Sequence, residues 1–490
     1  MRRTEINGIP LYWDDIPGPF TAWLLVGTGL EDEPFPRAGV TELVEQLAVA
    51  AVAVAGPGRD VDELDSAVAG DHTRFRIVGE PERAAEAVNR LCRALAGPPV
   101  DGLAGASRRV RARQEREERW EGFQERELRF RYGLRGPGRN GWEAPAVEHI
   151  GGEAVRAWAA ERFTRGNAVL VLTGPPPKAL DPRLPEGPRV ERPVVAPLPG
   201  TSGCWVEAPH AWGERVAVSF EAPASPAGHI AVELARERAL REPRVAPNLT
   251  GDVEIHSSYV GGGRMLFHLV AETDEPGVRA VADGLDGLLR ELAAEGPAEE
   301  EVRRVERIWS DRLDGEEQRR TQLFVAGLDH LSGLEFLDTP ILRARLAAYG
   351  PEDVRAALAA YPSTALLVLP AHCEPSEGSP FVPEPDQDGK DLHEAYVYRP
   401  KLFGPAGRHA RMYLGDEGIA HWTGRCHHVV RWHQVAGVGV AEGRRVVFGE
   451  QGAVIDIAAD WYKSGGDLIA AVDARAPASL RFPIGEGEPI

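Results

Sequence analysis

Five side chains able to hold a metal crowd into thirteen residues near the end of the 490-residue sequence: His421, Cys426, His427, His428 and His433. Imidazole and thiolate are preferred zinc ligands, but the spacing matches neither C-x-x-C nor H-x-x-x-H. Strand alternation also sends His427 and His428 to opposite faces, so the run reads as strand residues and not as a metal centre. His72 and His149 stand alone, as satisfied core or surface histidines usually do. Cys92, Cys204, Cys373 and Cys426 lie far apart, a pattern of free thiols in a reducing cytoplasm and not of a disulfide scaffold. Gly261-Gly262-Gly263 falls between the strand-like runs IHSSYV and RMLFHLVAE and reads as a hairpin turn. No P-loop, Rossmann glycine fingerprint or G-x-S-x-G elbow occurs in a strand-to-helix context.

The elements that must position any site belong to an acidic, globular chain of 43% hydrophobic residues and formal net charge −19. Such a surface repels phosphate backbones and anionic headgroups, which argues against nucleic acid and membrane partners. The start MRRTEINGIPLYW has no apolar core of a signal peptide, and the longest apolar run, 47–55, falls short of the roughly 20 residues that span a bilayer. A cytoplasmic location is therefore expected.

The chain repeats itself. TAWLLVG (from Thr21) followed by GVTELVEQLAV (from Gly39) returns about 192 residues later as ERVAVSF (from Glu214) and HIAVELARERAL (from His229). RFRIVGE (from Arg74) matches MLFHLVAE (from Met265), each before an amphipathic helix, and GEAVRAWAAERFTRGNAVLVLTG (from Gly152) matches PEDVRAALAAYPSTALLVLPA (from Pro351). Each unit also carries a long charged helix, 108–131 and 299–317. The expected fold is α+β: two duplicated sandwich-like halves, each a mixed sheet with helices on one face, over 1–174 and 201–372. A Pro-rich linker, 175–200, joins them. A turn-rich linker, 373–408, leads to a small β-rich domain, 409–490, whose short alternating strands closed by a helix at 464–475 resemble a pleckstrin-homology or GRAM-like module. Its acidic turns suit protein contact better than lipid.

An ordered set of motifs fills the first half: NGIPLYW, the strand end VGTGLEDEPFPRAG, the helix opening GVTELVEQL, a Glu/Arg helix, YGLRGPG and the NAVLVLTG strand. Over about Thr4 to Pro370 these resemble the insulinase and pitrilysin family of inverted-zincin metallopeptidases. The resemblance implies a peptidase built of paired halves, with zinc held by two His of H-x-x-E-H and a downstream Glu, and with the intervening Glu as general base. Here Glu45 keeps the base position, but Glu42 and Gln46 stand where the two His belong, and Gln is a poor zinc ligand. Glu115 is the nearest match to the third ligand, with Glu117 and Glu118 as alternatives in register. The family's substrate-orienting Arg, followed seven residues on by Tyr, becomes Arg241 and Asn248.

The resemblance therefore implies a zinc-degenerate, non-catalytic subunit with no cofactor of its own. It would pair as a heterodimer with an active H-x-x-E-H sister chain, which holds the zinc, and close a chamber around a peptide substrate. Two other readings stand beside it: a scaffold or interaction protein without a peptidase partner, and a hydrolase in which Glu42 and Glu115 hold a harder metal.

Overall fold

The computed structural model describes residues 1–53, 61–118, 123–208, 213–243, 245–384, 392, 396–401, 409–423 and 427–485. The first half comprises β1 (Arg2–Ile6), β2 (Ile9–Trp13), β3 (Thr21–Val26), α1 (Val40–Ala53), β4 (Glu63–Val68), β5 (Thr73–Val78), α2 (Pro81–Ala96), α3 (Leu103–Glu118), α4 (Phe123–Tyr132), α5 (Gly152–Arg162) and β6 (Ala168–Leu172). Its sheet runs β1-β2-β6-β3-β5-β4, with β2 parallel to β6 and every other pair antiparallel.

The second half contains β7 (Cys204–Glu207), β8 (Arg215–Pro223), α6 (Pro226–Ala239), β9 (Leu249–Gly261), β10 (Arg264–Thr273), α7 (Val278–Glu295), α8 (Glu299–Arg312), α9 (Glu316–Ser332), α10 (Thr339–Ala348), α11 (Pro351–Ala357), α12 (Tyr361–Thr364), β11 (Leu366–Leu369) and β12 (Val382–Pro383). Its sheet order, β12-β7-β11-β8-β10-β9, repeats the first, with β7 parallel to β11 as β2 is to β6; the edge differs, since β12 runs parallel to β7 whereas β1 is antiparallel to β2. The duplication seen in the sequence is thus a duplication of topology.

In each half the sheet packs one face on its own helices. Leu24, Val26, Phe75 and Ile77 meet Leu43, Val88 and Leu91 in the first half, and Val218, Phe220 and Leu269 meet Ile230, Leu285 and Leu289 in the second. The other face holds what the repeat did not reveal. Helix α9 of the second half lays Leu323, Ala326 and Leu331 on Trp23, Leu25, Val169 and Val171 of the first sheet. In return α4 of the first half sets Leu128 and Tyr132 against Val260 and Leu266. Phe130 packs beside Val206 and Val270 of the second sheet. Each half lends the other a helix, so β3 and β6 are buried along their whole length and carry unbroken apolar runs instead of alternation.

Of the two long charged helices expected from the sequence, the second is divided. Helix α8 ends at Arg312 and α9 starts after Gly315, whose backbone makes the N-terminal cap; the expected helix 108–131 of the first half is helical over 108–118 and 123–131, and 119–122 lie outside the described residues. The Pro-rich tract 175–200 has no helix or strand and runs as a strap, with Val190 N–H donating to Asn167 and Leu198 N–H to the Arg131 carbonyl.

The third unit pairs β13 (Tyr396–Tyr398), β14 (Arg411–Leu414), β15 (Gly418–Trp422) and β16 (His427–Arg431) in one sheet. A second sheet holds β17 (Val435–Ala441), β18 (Arg444–Gly449), β19 (Val454–Ala458) and β20 (Arg481–Pro483), and α13 (Gly465–Arg475) packs Leu468 and Val472 into the core between them. Strands β13 and β20 are additions to the runs read from the sequence. The unit is anchored on the first half: Phe35 packs on Phe448, ring centroids 4.7 Å apart, and Leu134 N–H donates to Glu450 O at 2.9 Å. Gly133 allows that approach. Its φ is +64°, and a Cβ there would sit 2.1 Å from Glu450 O.

Candidate functional site

Helix α1 begins where Glu33 takes hydrogen bonds from the Gly39 and Thr41 N–H groups, both 2.7 Å, an acceptor at the positive end of the helix. Burial raises the Glu33 pKa, while Arg139 and these two donors oppose the shift. One turn on, Glu42 and Glu45 point toward α3, Glu42 nearly buried and Glu45 fully so.

The space between the two carboxylates is filled from α3. Arg113 places Nη1 3.5 Å from Glu42 and Nη2 3.3 Å from Glu45. Gln114 donates to Glu42 at 3.1 Å, and Arg109 donates to the Gln46 side-chain oxygen at 2.8 Å. Gln46 in turn donates to Glu45 at 2.9 Å, and Ser66 of β4 donates to the other Glu45 oxygen. A guanidinium therefore lies between the two carboxylates and offsets one of their two charges. This donor set does not fit Zn(II): both imidazole positions are lost, one is an amide, and the remaining carboxylates are already paired with a cation of the chain itself. Among the described residues, no group of three or more His, Cys, Asp or Glu is arranged to hold a metal ion.

A cavity of about 260 Å³ opens beside this cluster, lined among others by Glu42, Ser66, Arg113, Gln114, Arg139 and Trp142. Strand β4 forms one wall and is the outermost strand of its sheet. Its outer row of backbone groups is the kind of edge an extended chain can extend.

The other candidates are dispersed. Glu115 is exposed, since its neighbours Arg113 and Gln114 are the α3 side chains that face α1; the side chains of Glu117 and Glu118 lie outside the described residues. Arg241 follows α6 and is two-thirds exposed, 4.0 Å from Glu237, and Asn248 closes the single 3-10 turn before β9. Neither lines the cavity at Glu42. His72 sits 2.7 Å from Asp71, and His149 is exposed. His421 and His428 are directly opposed on β15 and β16, while His427 lies against Trp422; Cys426 is outside the described residues. Gly261–Gly263 forms the tight turn between β9 and β10. Arg113, Arg109 and Ser66 were not foreseen. The available signal was the i, i+4 spacing of Arg109 and Arg113 on α3, which reads equally well as a solvated face.

A second polar cluster lies under α4. Glu127 accepts from Arg131 Nε at 2.7 Å and from Ser219, and lies 2.9 Å from His268 Nε2; Arg131 also donates to Ser219 Oγ at 2.8 Å. All four are fully buried. Burial alone would raise the Glu127 pKa, but His268 and Arg131 outweigh it and bring it down to about 2. Ser, His and Glu occur together here, yet Ser219 donates to Glu127 and substrate has no path to it, so the cluster fastens the two halves rather than performing chemistry.

The fold has known counterparts. No family model matches the sequence, and no curated protein does. Among solved structures, the first half of the periplasmic protease PqqL from Escherichia coli aligns over 76% of this chain and 92% of its own length, with TM-score 0.60 and 13% identity. The peptidase M16 inactive domain from Pseudomonas fluorescens aligns over 77% and 99%, with TM-score 0.56 and 16% identity. Pitrilysin aligns over 78% of this chain at TM-score 0.54 and 15% identity, and the match spans 44% of pitrilysin's length. The fold is that of the insulinase/pitrilysin-type (M16) peptidases. Within this M16-like fold, α1 is the helix on which Glu42, Glu45 and Gln46 stand.

Proposed function

We propose that this chain is a non-catalytic subunit of an insulinase-type metallopeptidase. It pairs with an active H-x-x-E-H sister chain, which supplies the zinc, and together they enclose a peptide-processing chamber in the cytoplasm. The observation that carries this reading is Arg113 lodged between Glu42 and Glu45: a cation of the chain occupies the ground between the carboxylates, so Glu45 has no metal-bound water to activate. The cavity beside open-edged β4 supports retained contact with extended peptide. An M16 domain described as inactive has the same fold. Among the described residues no helix is long and apolar enough to cross a membrane.

The test is the zinc and manganese content of the chain purified alone, followed by co-purification with H-x-x-E-H chains encoded beside it. The expectation is near zero metal per chain, no peptide cleavage alone, and cleavage by the pair that persists in Glu45→Gln of this chain. One metal per chain, lost in Glu42→Ala, would overturn the reading and make this a carboxylate-liganded hydrolase. The exposure of Arg241 and the presence of Asn248 in place of Tyr favour a second reading, a scaffold without a peptidase partner; failure to capture any sister chain from the native cell would select it.

A further inference from the structure

A second cavity, of about 460 Å³, opens where β1 and β2 of the first half meet the end of α9 and the strap. Its chemistry comes from Arg3, Tyr12, Arg189, His330, Leu334 and Phe336. Among the described residues neither Arg3 nor Arg189 has a carboxylate within ion-pairing distance, and the acids on the rim are already engaged. Glu335 is 2.7 Å from Arg345, and Asp338 caps α10 by accepting from Ile341 N–H at 3.0 Å. Asp329, on the same turn of α9, has its pKa raised by burial to about 6 and still carries charge at neutral pH, which Tyr12 senses.

The cationic groups are also held in place. The Arg3 guanidinium lies over the Tyr12 ring, 5.5 Å from its centre, and Arg189 packs over Gly333, which has φ +70° and leaves room that a Cβ would take, 2.5 Å from the guanidinium. Arg2 also borders the cavity, but its guanidinium stacks on Trp13 at 4.5 Å. The Tyr12 hydroxyl lies 3.2 Å from His330 Nδ1. Burial raises the Tyr12 pKa, so its hydroxyl keeps its proton and can donate to Nδ1, which leaves Nε2–H of the neutral ring as a free donor. After burial, the charges of Arg3 and Arg189 push the His330 pKa down, so the ring senses both guanidinium groups.

We propose that this cavity binds a phosphate monoester, its phosphate held by Arg3, Arg189 and His330 Nε2–H and its organic part against Leu334 and Phe336. Two guanidinium forks and an imidazole N–H offer donors to three oxygens, whereas a carboxylate presents two oxygens that a single fork satisfies. The volume lies in the range of roughly 300–1,000 Å³ usual for small-molecule sites. The acidic surface that repels polyanions does not forbid this, because at physiological salt charges beyond about 8 Å are screened and the two arginines dominate locally.

The test is calorimetric titration of the full chain with phenyl phosphate, inorganic phosphate and benzoate, with the His330 ring followed by NMR. Expected is one saturable site in which phenyl phosphate binds at least tenfold more tightly than benzoate. Arg3→Gln and Arg189→Gln should each weaken it more than tenfold, while Arg74→Gln, at a surface arginine of β5 outside the cavity, leaves it unchanged. The bound dianion should also move the His330 titration to higher pH. Inorganic phosphate binding with the same arginine dependence would support the phosphate contacts themselves. Absence of saturable binding by both phosphates, binding indifferent to both arginines, or benzoate binding as tightly as phenyl phosphate would each overturn the proposal.

Discussion

At the residue scale, Arg113 is the side chain whose removal should be felt most directly. Glu45 is fully buried, and without Arg113 its carboxylate would keep only Ser66 and Gln46 as donors. Leaving one partner of a buried pair uncompensated is strongly destabilising, though Arg113 retains some exposure and solvent can partly replace it. Arg113→Ala should therefore cost about 2 kcal/mol in urea unfolding, with most of it recovered when Glu45→Gln is added. Equal loss in the single and double variants would show that the pair does not couple. Glu42, Glu45 and Gln46 were legible in the sequence through the resemblance to the insulinase/pitrilysin motif, whose H-x-x-E-H positions they occupy. Arg113 was not legible, because a Glu/Arg helix reads as solvated and which of its charges turns inward is a tertiary decision.

At the scale of elements, the order of strands and helices in both halves could be read from repeated apolar periodicity, and the structure repeats the parallel pairing of β2 with β6 as β7 with β11. The helix exchange could not. In α4 the sequence FQERELRFRY buries Glu127 and Arg131, residues that local patterning assigns to solvent, because their partners Ser219 and His268 arrive from about 90 to 140 residues away. This cluster should give the fold an acid limit. Glu127 titrates near 2 in the folded chain, below its ordinary value of 4.5, so its contribution is complete above about pH 4.5 and is lost as pH falls toward 2. The loss is on the order of 3 kcal/mol. Glu127→Gln should flatten that part of the stability profile measured by denaturant unfolding between pH 2 and 6; an unchanged slope would assign the acid sensitivity elsewhere.

Across the whole molecule, the exchanged helices make each half part of the other's core. Truncating Leu323 on α9 removes apolar packing from the outer face of the first sheet, so Leu323→Ala, at about 2–4 kcal/mol, should increase hydrogen exchange in β3 and β6 of the first half as much as in α9 itself. Exchange that rises only in the second half would mean the two halves open independently. The strap reinforces the same coupling: Arg192 reaches Asp32 at 2.6 Å and also the Gly27 and Asp71 carbonyls, so the segment that joins the halves is fastened along its route.

One consequence follows from Arg113 having the place it has. A counter-charge carried on a side chain has no dissociation constant. Dilution cannot release it, a chelator cannot extract it, and scarcity of an ion in the cell cannot leave it missing. The contact between α1 and α3 is complete from the moment the chain folds, and its occupancy is set by translation rather than by trace-element supply.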